Sequence, residues 1–161
     1  MKKVLIGLGI FVVLVFGILI GYKYVYSMEV AENQEVGNAN AALKVLIATQ
    51  GSEYKNQLVA AIVTDESDVY FKVIDVSQLD EVQYEAWDAF VVMHTWEVWE
   101  PEPNAAKFLE EYKDAMNVFV VSTSGGGDLM IDGVNGISGA SSLTDVKKDA
   151  ETVRTWLRNF D

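Results

Sequence analysis

Four short apolar runs, rich in valine and isoleucine, recur after residue 43: KVLIAT at Lys44–Thr49, VYFKVIDV at Val69–Val76, AFVVMH at Ala89–His94 and NVFVVS at Asn117–Ser122. They are continuous rather than alternating, the mark of strands buried on both faces. Segments with helical spacing separate them. Tyr54, Leu58, Ala61 and Ile62 line up after the first run. Ala105, Phe108, Leu109, Tyr112 and Met116 share one face of a helix expected over Asn104–Met116. Val146, Ala150, Val153, Leu157 and Phe160 mark a last helix starting near Ser142 or Thr144. Ser77–Tyr84 reads as one or two helical turns, and a fifth strand is expected near Ile131–Ile137. Strands that alternate with helices predict an α/β fold, a three-layer αβα sandwich around a five-stranded parallel sheet.

The N-terminus is of another kind. Val4–Tyr22 contains no charged residue. As a helix it would cover roughly 28 Å, close to the hydrocarbon thickness of a bilayer. Lys2 and Lys3 precede it, and Glu29, Glu32 and Glu35 follow Lys23. This predicts a transmembrane anchor over 1–23, with the N-terminus cytoplasmic and the C-terminal domain extracytoplasmic, a single-pass protein of the cell membrane. A cleaved signal peptide ending near Val25-Tyr26-Ser27 is the rival reading. Residues 24–42 read as a stalk, and 43–161 as one compact domain.

The formal net charge is −12, which disfavours nucleic acid and anionic lipid surfaces as partners. The chain has no cysteine, so disulfides, thiol catalysis and thiolate metal sites are excluded. No Ser/His/Asp set is visible. His94 reads as a hydrogen-bonded structural residue, and Glu97, Glu100 and Glu102 as solvated charges.

In open parallel sheets ligands sit beyond the carboxyl ends of the strands. Three turns lie there. Thr49–Lys55 offers Thr49, Gly51, Ser52, a helix N-terminus and Lys55, which together suit an anion, while Glu53 opposes one. His94–Pro103 holds Thr95, Trp96 and Trp99 in a Pro-bounded loop, where the indoles would cover a flat ring or a partner. Ser122–Asp128 is Ser122, Thr123, Ser124, Gly125, Gly126, Gly127 and Asp128, rich in hydroxyls and in backbone open to close approach.

On KVLIATQGSEYK, AFVVMHTWEVWEP, NAAKFLEEY, VFVVSTSGGGD and GVNGISGASSL, the chain from Leu43 to Phe160 resembles the flavodoxin-like family. The resemblance implies strand order 2-1-3-4-5, non-covalent FMN, electron transfer and a redox protein partner. It places the phosphate at Thr49, Gly51 and Ser52. The isoalloxazine would lie against Thr95 with Trp96 or Trp99, and its polar edge against Ser122, Thr123, Ser124, Gly125 and Gly126. The family's phosphate loop reads T/S-x-T-G-x-T, where this chain has T-Q-G-S-E-Y. Asn135–Ser141 also resembles the motif of extracytoplasmic domains that carry FMN esterified to a hydroxyl, here Ser141. The other expectation is a cofactor-free binding module that uses the Trp loop to hold a protein partner.

Overall fold

A computed structural model describes residues 2–26, 28–63 and 68–160, with side chains described for 6–21, 28–63 and 68–160. The strands are β1 (Gln34–Val36), β2 (Leu43–Thr49), β3 (Val69–Asp75), β4 (Ala89–Glu97), β5 (Glu100–Pro101), β6 (Val118–Thr123) and β7 (Gly136–Gly139). The helices are α1 (Lys2–Tyr26), α2 (Glu53–Ile62), α3 (Pro103–Tyr112) and α4 (Val146–Leu157).

The sheet runs β1-β3-β2-β4-β6-β7, with β5 paired to β4 off that path. The pairs β3–β2, β2–β4, β4–β6 and β6–β7 are parallel. β1 is antiparallel to β3, and β5 to β4. The expected five-stranded, all-parallel sheet is therefore corrected to a seven-stranded mixed one. The additions are short and polar: Gln-Glu-Val on the outer edge of β3, and Glu-Pro closing a hairpin on β4. Neither carries an apolar run, because neither is buried on both faces.

Successive strand residues point to opposite faces, and the core divides accordingly. Val45, Ile47, Val91, Met93, Phe119 and Val121 pack with Leu58 and Ile62 of α2 and Val153 and Leu157 of α4. Leu46, Ala48, Phe90, Val92 and Val120 pack with Phe108 and Leu109 of α3 and with Leu79. Burying each such side chain contributes about 1.5–3 kcal/mol.

Caps fix the helix starts. The Ser52 hydroxyl accepts from the Lys55 amide at 3.2 Å, and the Glu102 carboxylate from the Ala105 amide at 2.6 Å. Several boundaries differ from expectation. Ser77–Tyr84 is not α-helical; 3-10 turns cover Val76–Glu81 and Tyr84–Ala86, the first capped by Asp75 through the Ser77 amide at 3.0 Å. α3 stops at Tyr112, which leaves Met116 exposed. The last parallel strand lies at Gly136–Gly139, later than Ile131–Ile137.

The N-terminal expectation is also corrected. A helix forms over Lys2–Tyr26, with exposed apolar side chains where they are described. Among the described residues, however, no helix is long and apolar enough to cross a membrane. The transmembrane anchor, the membrane as a partner through that helix, and the single-pass extracytoplasmic placement are therefore without support in the structure. The signal-peptide boundary at Ser27 lies outside the described residues.

Candidate functional site

The parallel register brings the three turns together. Thr49 pairs with Met93, His94 with Ser122, and Thr95 with Thr123, so the first two turns and the hydroxyl-rich third share one edge of the sheet. The polar side chains there are buried and bonded mostly to one another. The Gln50 carboxamide accepts from the Thr95 amide at 2.7 Å. The Thr95 and Thr123 hydroxyls lie 2.9 Å apart, and Thr123 donates to the His94 carbonyl at 3.1 Å. Thr49 donates to the Gln50 carbonyl at 3.1 Å.

At the centre is Lys55, a cation with 0% of its surface exposed. Its ammonium donates to Thr95 Oγ1 at 2.5 Å and approaches Met28 Sδ at 3.9 Å. Burial lowers its pKa to about 8, with Glu97 pulling the other way. His94 is likewise 0% exposed, and neither ring nitrogen has a hydrogen-bond partner among the described residues. It is not the hydrogen-bonded histidine expected. Burial first, and the Lys55 charge second, lower its pKa to about 4, so the imidazole is neutral at pH 7.

Residues 28–31, read from the sequence as part of a stalk, lie across this edge as a strap. Glu29 and Gly51 exchange backbone hydrogen bonds at 3.1 and 2.6 Å. The Met28 amide donates to Glu97 Oε1 at 3.3 Å, and the Ala31 amide to Asp75 Oδ2 at 2.7 Å. Gly51 is essential to this fit. A Cβ there would stand 2.8 Å from the Glu29 carbonyl oxygen and 2.9 Å from its Cβ. A polar cleft of about 350 Å³ remains beside the strap, bordered by Glu29, Glu32, Gln34, Thr49 and Asn56.

These contacts decide how well the expected residues suit FMN. The Gly51 amide already serves the Glu29 carbonyl, and the Ser52 hydroxyl caps α2. The Trp96 indole N–H donates to Ser122 Oγ at 2.9 Å, and Ser122 donates onward to the Leu129 carbonyl at 2.8 Å. The Ser124 hydroxyl accepts from the Gly127 amide at 2.9 Å, closing that loop on itself and leaving Gly125 and Gly126 exposed. Several of the expected phosphate and ring donors are thus already engaged within the chain. Ser141, the candidate ester site, is exposed and has a positive φ of 57°.

Trp99 stands apart from the others. β4 and β5 form a hairpin in which Glu97 pairs with Glu100, leaving Val98 and Trp99 as its two-residue turn. Their φ angles are 52° and 68°. Val98 is 73% exposed and Trp99 84%. No protein-family model matches the sequence, and no curated protein matches it.

Sequence reasoning noticed Lys55 but not its burial, and it missed Gln50, Asp75 and the strap. The strap is held through its backbone, so its side chains left no pattern to read. Gly51 was the one visible trace, a small residue where the backbone of Glu29 comes close.

Proposed function

We propose that the protein is a binding module on a flavodoxin-like scaffold, in which the Val98–Trp99 hairpin tip docks a protein partner. The scaffold reading is supported by the order of the parallel strands, β3-β2-β4-β6-β7. The observation that carries the docking role is the turn itself. Left-handed backbone is costly for a β-branched valine and for tryptophan, about 1–3 kcal/mol at such sites. Here that strain presents two large apolar side chains to solvent. Tryptophan is the side chain most often found as a buried anchor in interfaces. Glu97 and Glu100 flank the tip. The complementary surface is therefore an apolar pocket rimmed by basic residues.

The occupied donors at the sheet edge favour this reading over FMN-dependent electron transfer. The test is a photo-crosslinking residue placed at position 98 in the full chain, with FMN titration of the same protein. A discrete adduct that disappears in Trp99→Ala is expected, with no saturable FMN binding. Saturable FMN binding, or an adduct indifferent to Trp99, would overturn it.

A further inference from the structure

We propose that Lys55 is a gated nucleophile, an amine that acyl electrophiles reach only when the strap of residues 28–31 lifts. The argument begins with the cost of its position. An ammonium with no exposed surface normally has a carboxylate partner. Among the described residues no carboxylate lies within ion-pair distance of Lys55. It has one hydroxyl, that of Thr95, and the thioether of Met28, a weak acceptor. A lysine held this way is readily uncharged, and the free amine is the nucleophilic form.

Met28 belongs to the strap, so the cover over the amine is the strap itself. Its attachments are few: the Glu29–Gly51 pair, the Met28 amide on Glu97 and the buried bond from the Ala31 amide to Asp75. Val30 and Glu32 are exposed. A segment with few buried apolar contacts opens at lower free energy than the body it lies on. The strap also begins two residues after α1 ends, so a displacement of α1 reaches it directly.

In the step itself the Lys55 lone pair attacks the acyl carbon of an ester or thioester. The bond from that carbon to the leaving group breaks, and the proton lost by the attacking nitrogen passes to the leaving group. The product is a neutral amide and the protonated leaving group. The acyl group takes the place of Met28 Sδ, so acylation and a closed strap exclude each other. By linkage, anything that opens the strap promotes modification, and modification holds it open.

The test is acetylation of the full-length chain by the N-hydroxysuccinimide ester of acetic acid at pH 8, read by peptide mass spectrometry. Lys107, whose side chain is 66% exposed, is the internal reference. Lys55 should react about 100-fold more slowly than Lys107, the protection a locally opening segment of this kind gives. Gly51→Ala drives a Cβ into Glu29 and should speed Lys55 about tenfold while leaving Lys107 unchanged. Ala31→Pro, which deletes the amide bound to Asp75, should do the same by an independent route. Reaction of Lys55 at the Lys107 rate in the unaltered chain would overturn the proposal. So would continued protection in both variants when hydrogen exchange shows their straps released.

Discussion

The hydroxyl of Tyr54 donates to Oδ2 of Asp149 at 2.6 Å, a bond between α2 and α4 across 95 residues of sequence. Burial, with Asp149 adding to it, pushes the phenol well above its ordinary pKa, so it stays a donor throughout the neutral range. Tyr54→Phe keeps the buried ring and removes the bond. A loss of about 1 kcal/mol is expected, measured by urea unfolding with an unchanged slope.

His94 makes stability depend on pH. Its folded pKa is about 4 against an ordinary 6.5. Between those values the unfolded chain takes up the proton and the folded chain does not, so stability falls as pH drops from about 6.5 to about 4 and levels off below. The loss attributable to this residue is up to ~3 kcal/mol. In His94→Leu the corresponding part of the acid limb should vanish, as pH-dependent unfolding of both chains would reveal. Equal slopes in the two would refute the assignment.

The Trp hairpin predicts a gain. Two-residue turns with positive φ at both positions favour Asn-Gly. Replacing Val98 and Trp99 together by Asn and Gly should raise stability by about 1–2 kcal/mol. With the photo-crosslinker at position 98, Trp99→Gly alone should abolish crosslinking to the partner. Thermal unfolding and the crosslinking assay together would show a turn that exchanges stability for display.

Gly136 sits where β7 meets β6. A Cβ there would lie 2.1 Å from the Val120 carbonyl oxygen. Gly136→Ala should therefore detach β7 and cost about 1–3 kcal/mol. Faster hydrogen exchange at the Val120 amide, which donates to the Asn135 carbonyl at 2.9 Å, would locate the damage.

The legible parts of this chain were those in which side chains bear the burden of burial. β2, β4 and β6 showed as continuous apolar runs because both of their faces meet helices. α2 and α4 showed through their apolar stripes, which face the same layer of the core. Position at the sheet edge was legible for Thr49, Thr95 and Ser122, since strand ends follow from strand positions. Their hydrogen-bond partners were not: the Gln50 carboxamide reaches the Thr95 amide from the loop after β2, and Ser122 is held between the Trp96 indole and the Leu129 carbonyl. Lys55 was noticed as a cation in a first helical turn, where lysines ordinarily reach solvent. Its burial comes from tertiary neighbours, Thr95 and the strap's Met28 among them. The turn at Val98 and Trp99 lacked the Asn or Gly that announces a positive φ.

The short strand Gln34–Val36 has one more consequence. By pairing with Phe71, Lys72 and Val73 it covers the outer backbone of β3. Its own residues are polar or half-buried, and Glu35 lies 3.9 Å from Lys72 as an exposed charge pair. An uncovered β3 would present the unpaired amides and carbonyls of VYFKVID, a template for recruiting other chains. A fragment trimmed to start at Leu43 keeps every element of the parallel core and loses this guard. It would be prone to self-association, and its behaviour would reflect an aggregation hazard that the intact chain avoids.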